Sequence, residues 1–106
     1  MEMDEIEFEE LSEALKKNTA EFTTLKLIEE LAELQEKLIK YHLKSKAHKP
    51  KIEEILDEVG DVELRLALFI DHLEFVDAEE YIEDRIEKKL GKLYGYLKEG
   101  KYKGGL

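Results

Sequence analysis

Apolar residues recur every three or four positions through most of this chain. Over residues 21–45 they form one stripe of Leu27, Leu31, Leu34, Leu38 and Tyr41. This spacing is the period of an α-helix with a single apolar face. The chain also has one Pro and few β-branched residues, whereas the helix formers Glu, Lys and Leu are abundant. The sequence therefore predicts an all-α fold.

The apolar pattern divides into four predicted helices, over about residues 5–17, 21–45, 51–74 and 77–98. Because the connections between them are short, we expect an antiparallel bundle of about four helices. We expect one domain over residues 1–106, with a core over about 21–98 and a flexible C-terminal tail over 99–106.

Two residues are typical of helix starts. Pro50 fits the first turn of the third helix, where its missing N–H costs nothing. Asp77, with Glu80 three positions on, is typical of a capping box at the start of the fourth helix.

Residues 62–70 of the third helix are apolar on nearly every side, which places them at a bundle centre or in a subunit interface. This pattern argues against a lone monomer.

Charge is high and uneven along the sequence. The net charge of −10 argues against a nucleic-acid partner, because phosphate backbones require a basic surface. Residues 1–84 hold 25 acidic and 10 basic residues, a net −15, whereas residues 85–106 hold 2 acidic and 7 basic residues, a net +5. The basic segment could bind phosphates beside a metal on the acidic part. Alternatively, its positive charges could simply interact favourably with the negative C-terminal end of a helix dipole.

The cysteine count and the hydropathy exclude several classes of protein. There is no Cys, which excludes disulfides, thiolate zinc sites and cysteine nucleophiles. The first residues are acidic and lack an apolar signal region, so we expect a cytoplasmic protein. The longest purely apolar run, residues 66–70, is too short to span a bilayer, and we expect no membrane partner.

Two pairs of carboxylates border the apolar stripes of the second and third predicted helices. Glu30 and Glu33 form one pair, and Glu58 and Asp61 form the other. Residues three apart on a helix have neighbouring Cβ atoms, so each pair can approach one ion. If the helices pack antiparallel, both pairs face one groove, and hard oxygen ligands select Mg²⁺, Mn²⁺ or Ca²⁺.

The same acids have a simpler interpretation. A chain this acidic contains many carboxylates three residues apart, and Glu33 with Lys37, or Lys26 with Glu30, would form ordinary surface pairs. Gly60 favours the metal site. A glycine within a helix costs about 1 kcal/mol relative to Ala, so its presence there indicates that something must approach the helix closely. It would permit close approach of either another helix or a hydrated metal with bound phosphates.

The two acidic segments resemble a known family. Residues 26–34, KLIEELAEL, resemble the EExxE half of the motif of MazG-like nucleotide pyrophosphohydrolases. Residues 57–62, DEVGDV, resemble the ExxD half, including the Gly before the Asp. The resemblance covers roughly residues 21–98. It implies a helical bundle that assembles into a homodimer or homotetramer. It also implies an activity of the house-cleaning type, which cleaves nucleoside triphosphates to monophosphates and pyrophosphate.

The resemblance also implies roles for single residues. It assigns Mg²⁺, or Mn²⁺, to carboxylates matching Glu30, Glu33, Glu58 and Asp61, and it makes Glu29 a candidate to orient or deprotonate the attacking water. Candidates for binding the substrate phosphates are the basic residues Arg85, Lys88, Lys89 and Lys92. Two alternatives stay open: a phosphoribosyl-ATP pyrophosphohydrolase of the same superfamily, and a non-catalytic helical interaction module.

The three histidines, His42, His48 and His72, are scattered and none follows a Glu by three residues. The Glu-x-x-His signature of di-iron bundles is therefore absent. We expect these histidines on the surface.

Overall fold

The structure of the protein, a computed structural model, describes residues 4–17, 20–42 and 49–100. These residues form helices and no strand, which confirms the predicted all-α fold. The helices are α1 (Glu5–Leu15), α2 (Ala20–His42), α3 (Ile52–His72) and α4 (Ala78–Lys98). The break predicted after α2, His48 and most of the predicted C-terminal tail lie outside the described residues.

The chain divides into two compact units, residues 1–74 and residues 75–106. The first unit contains α1, α2 and α3, and the second contains α4. The single domain over residues 1–106 stays a prediction. None of the described helices is both long enough and apolar enough to cross a bilayer.

In the first unit, α2 and α3 pack antiparallel. Thr23 near the start of α2 contacts His72 at the end of α3, whereas Lys37, far along α2, contacts Glu58 near the start of α3. α1 packs against α3. Among the described residues, the buried apolar side chains are Leu27 of α2 and Leu68 of α3.

A polar network joins all three helices of the first unit. The ring of His72 is bonded at both nitrogens, through Nδ1 to Thr23 Oγ1 at 3.0 Å and through Nε2 to the carbonyl of Ser12 at 3.1 Å. The hydroxyl of Ser12 donates to a carboxylate oxygen of Asp71. His72 is half-buried, with a partner for each ring nitrogen, whereas His42 is exposed as predicted.

Two of the helix starts differ from the prediction. The N–H of Lys51 donates to Glu54 Oε2 at 3.1 Å, so α3 begins at Ile52, and Pro50 precedes the helix instead of lying in its first turn. Asp77 is the N-cap of α4, but its backbone is left-handed, with φ at 59°, and its side chain makes no capping bond. A side-chain cap requires an extended backbone at that position, so the capping box does not form.

Candidate metal centre

Three of the four predicted ligands lie together. Glu30 and Glu33 of α2 and Glu58 of α3 each offer a carboxylate oxygen, and these oxygens lie within 4.8 Å of one another. We call these three residues the acidic triad. The three-residue spacing places two of them on one face of α2, and antiparallel packing brings the third across from α3.

The triad runs from the interior to the surface. Glu58 is only 3% exposed, Glu30 is half-buried and Glu33 is exposed. Two buried oxygens, Glu58 Oε1 and Glu30 Oε2, have no hydrogen-bond partner among the described residues. Burying an ionised carboxylate without a partner is unfavourable, so this arrangement requires either a proton or a cation.

Proximity within the triad changes the acidity of its members. A hydrogen bond shared with Glu58, then burial and the charges of Glu58, Glu33 and Asp61, raise the pKa of Glu30 to about 7. The pKa of Glu33 is also raised, first by its hydrogen bond with Glu58. Hydrogen bonds from Glu30 and Lys37 hold the pKa of Glu58 below its usual range, despite burial. Above about pH 7 Glu30 therefore loses its proton, which adds a negative charge to the triad.

The same groups explain why two oxygens lack partners. A protonated Glu30 donates its hydrogen bond to Glu58, whereas two ionised carboxylates have no proton to share. Deprotonation of Glu30 thus leaves the pair without a donor and increases the repulsion between them.

Lys37 is a residue of this site that the sequence analysis assigned elsewhere. Its Nζ lies 3.1 Å from Glu58 Oε2, across the groove between α2 and α3, and its ion pair is with Glu58 instead of Glu33. Lys26 likewise pairs with Glu29, at 3.2 Å, and not with Glu30. Neither of the two expected surface pairs forms. The available signal was the spacing of Lys37, one and two turns beyond Glu33 and Glu30 on the same face of α2.

The fourth predicted ligand stands apart. Asp61 is exposed, and its oxygens do not join the group that the triad forms within 4.8 Å. It lies one turn beyond Glu58 and its side chain is one methylene shorter, so it reaches less far across the groove. Its charge nevertheless contributes to the raised pKa of Glu30.

Gly60 lies in open space. A Cβ atom placed on it would meet no described atom within 4 Å outside its own helix backbone and chain neighbours. Close approach of another helix of the described residues therefore does not explain this glycine. The surface of α3 at Gly60 is thus free of other side chains among the residues that the structure describes.

The other predicted residues lie outside the triad. Glu29 is exposed and paired with Lys26, and its charge raises the pKa of Glu33. Arg85, Lys88, Lys89 and Lys92 are exposed on α4, in the second unit. The water-orienting role of Glu29 and the phosphate contacts of the four basic residues stay predictions.

Comparison with known proteins gives no assignment: no family model matches the chain, and no curated protein or solved structure matches it either. The resemblance to MazG-like enzymes therefore depends on the two acidic motifs and their placement on α2 and α3.

Proposed function

We propose that the acidic triad binds Mg²⁺ or Mn²⁺, and that the protein is a nucleoside triphosphate pyrophosphohydrolase. One observation carries the proposal: a buried carboxylate, Glu58, holds an unpartnered oxygen beside the oxygens of Glu30 and Glu33. Surface acids that only keep a protein soluble are exposed, and their oxygens are hydrated. An acid buried with an oxygen free favours a ligand that is a cation.

The donor set fits such an ion. All three members offer carboxylate oxygens, which are the ligands that Mg²⁺ and Mn²⁺ prefer. Asp61 adds a further acid one turn away, next to the open surface at Gly60. When bound, the ion supplies positive charge that stabilises the phosphoryl oxygens of a nucleotide during hydrolysis.

The other roles in the proposed reaction belong to side chains of the protein. Glu58 is fixed by burial, whereas Glu33 is exposed, so the triad is open to solvent on the side where phosphates would enter. Glu29 is an exposed acid next to Glu30 and would accept a proton from the attacking water or orient it. In the reaction, the oxygen of the attacking water forms a new bond to phosphorus as the anhydride bond between the α-phosphate and the pyrophosphate breaks, which releases the nucleoside monophosphate and pyrophosphate.

Thermal melting tests the metal site. An ion that binds only the folded state raises the melting temperature; at 100 times Kd it adds about 2.7 kcal/mol to the free energy of unfolding. We expect millimolar Mg²⁺ or Mn²⁺ to raise it, whereas NaCl of equal ionic strength, the control for charge screening, should do less. No specific shift with either ion would favour the helical interaction module instead.

A nucleotide panel tests the activity. We expect Mg²⁺-dependent release of pyrophosphate from at least one standard or damaged nucleoside triphosphate. Preference for phosphoribosyl-ATP over free triphosphates would favour the alternative function, a phosphoribosyl-ATP pyrophosphohydrolase of the same superfamily. Absence of pyrophosphate release from every substrate, with the metal bound, would overturn the enzymatic function.

Because such substrates are cytoplasmic, we also propose that the protein acts in the cytoplasm.

We further propose that copies of the chain associate as a dimer or tetramer. An open groove on α2 is lined by apolar residues that stay exposed or half-buried, including Leu31, Leu34, Leu38 and Ile39. Exposed apolar surface of this kind is typical of an interface. Light scattering of the purified protein should give a mass of two or four chains, and a monomer at all concentrations would contradict association.

A further inference from the structure

Lys37 places a positive charge at the edge of the acidic triad. Its Nζ lies 3.1 Å from Glu58 Oε2, while the other oxygen of Glu58 has no hydrogen-bond donor among the described residues. Among the described lysines and arginines, it is the one whose charged group lies within 4 Å of a triad carboxylate. Its side chain is 34% exposed, so the ammonium lies between the buried carboxylate and solvent.

This ion pair differs from the other lysine pairs on α2. Lys26 pairs with Glu29 and Lys40 pairs with Glu36, each within one turn of the helix and each with an exposed carboxylate. Such local surface pairs contribute little. Lys37 instead spans two helices and ends on a buried carboxylate, so tertiary packing, and not helix spacing, places its ammonium at the triad.

The position of Lys37 creates a competition for Glu58. A divalent cation held by the triad and the ammonium of Lys37 would both lie against the same carboxylate, and like charges at that distance repel. The lysine chain is long and flexible, with three donors, and can leave Glu58 for another anion nearby. A phosphate group entering from the solvent side, where Lys37 is exposed, would be such an anion.

We propose that Lys37 is a phosphate-binding residue of this site, which pairs with Glu58 until a metal-bound phosphate replaces that carboxylate as its partner. This inference rests on the proposed function, because it requires a divalent cation in the triad. It predicts that one side chain has opposite effects on two affinities. Lys37 weakens the binding of the cation alone, and it strengthens the binding of phosphate in the presence of the cation.

The test is Lys37→Met in the full chain, which keeps most of the alkyl chain and removes the charge. Isothermal titration with Mn²⁺ alone should show binding about threefold tighter than in the wild type, because the competing ammonium is gone. Titration with imidodiphosphate, a non-hydrolysable pyrophosphate analogue, at saturating Mn²⁺ should show binding about tenfold weaker, because a charge-assisted hydrogen bond is lost.

Two further variants control for net charge and for folding. Lys40→Met removes the same charge from the same helix, at a residue paired with exposed Glu36, and should leave both affinities unchanged. Lys37→Arg keeps the charge and should bind imidodiphosphate nearly as well as the wild type. Circular dichroism should show the same helical content in all three variants.

The outcomes separate this inference from the function on which it rests. If Mn²⁺ binds the wild-type chain but Lys37→Met changes neither affinity, or changes both in the same direction, the role of Lys37 is wrong and the metal site stands. If Mn²⁺ does not bind the wild-type chain at all, the proposed function is overturned, and this inference with it.

Discussion

The antiparallel pair α2–α3 buries polar groups in two places. In one place these groups are hydrogen-bonded to each other, and in the other some of them lack a partner among the described residues. Where α2 begins and α3 ends, Thr23, Ser12 and His72 exchange hydrogen bonds, and both ring nitrogens of His72 have partners. Further along the same two helices, the acidic triad buries Glu58 and leaves two carboxylate oxygens without a donor in the part of the chain that the structure describes. The two sites share their helices but not the way in which their polar groups are satisfied.

The difference indicates what each site does. Buried polar groups that are all paired stabilise and specify a fold. A buried group left unpaired destabilises the fold by itself and binds a ligand of complementary charge more strongly. We therefore expect changes at the His72 network to lower stability and spare metal binding, and changes at the triad to abolish metal binding and spare stability.

The largest expected effect comes from Glu58→Gln. It removes the charge of the buried ligand while keeping its shape, and pyrophosphate release with Mg²⁺ should fall by about 100-fold or more. A steady-state assay of pyrophosphate release measures this. The matched control is Asp57→Asn, the exposed neighbour on α3, which should keep nearly the full rate. An unchanged rate in Glu58→Gln would show that the triad is not the active site.

Next in size is the effect of His72→Leu on stability. The ring bonds both Thr23 and the carbonyl of Ser12, so its loss leaves those groups without partners. We expect the free energy of unfolding to fall by about 2 kcal/mol, or roughly 10 °C in melting temperature, with Mn²⁺ affinity unchanged. His42→Leu, at an exposed histidine ending α2, is the control and should change the melting temperature little. A loss of Mn²⁺ binding in His72→Leu would mean that the two sites are coupled.

The pH dependence of metal binding should show a smaller effect. Because the pKa of Glu30 is about 7, a cation must displace the Glu30 proton at lower pH, and no proton from Glu30 at higher pH. Mn²⁺ affinity should therefore rise with pH by up to about tenfold per unit below pH 7, and should level off above it. Titrations between pH 5.5 and 8.5 (roughly the range spanning this pKa) measure this. Glu36→Gln, outside the triad, should keep the same profile, and a flat profile in the wild type would contradict the assignment of Glu30.

The smallest expected effect is a gain in stability from Glu30→Gln without metal. The amide can donate to the free oxygen of Glu58, so at pH 8 the melting temperature should rise by roughly 5 °C. Near pH 5 the gain should largely vanish, because Glu30 itself then carries a proton. The raised pKa makes the wild-type fold most stable below the ordinary value of 4.5, and this stability is lost as the pH rises to about 7. Glu29→Gln is the exposed control. A loss of stability at pH 8 would show that Glu30 has a partner in the folded protein.

Much of the fold could be predicted because helical period is a local property. The apolar stripe through Leu27 and Leu34 predicts α2, and the same period predicts α3 and α4. The ends were less predictable. Asp77 and Glu80 match the sequence pattern of a capping box. The backbone of Asp77 is left-handed, however, and its side chain makes no capping bond. Sequence spacing does not report that backbone angle.

Part of the candidate site could be predicted for the same reason. Glu30 and Glu33 share a face because they are three residues apart, and this holds for any helix. Asp61 has the same spacing from Glu58, yet its oxygens do not reach the triad, because reach across a groove depends on where the facing helix lies. The pairing of Lys37 with Glu58 depends on the same interhelical position.

The sequence by itself determined the four helices, the faces on which their acids lie and the absence of any cysteine chemistry. These follow from composition and from a repeat of 3.6 residues, which are local properties. Only the tertiary structure decided that Glu58 is buried, that Lys37 crosses to it and that His72 joins three helices. Burial and pairing across helices depend on how α2 and α3 are aligned, and no spacing within one helix specifies that alignment.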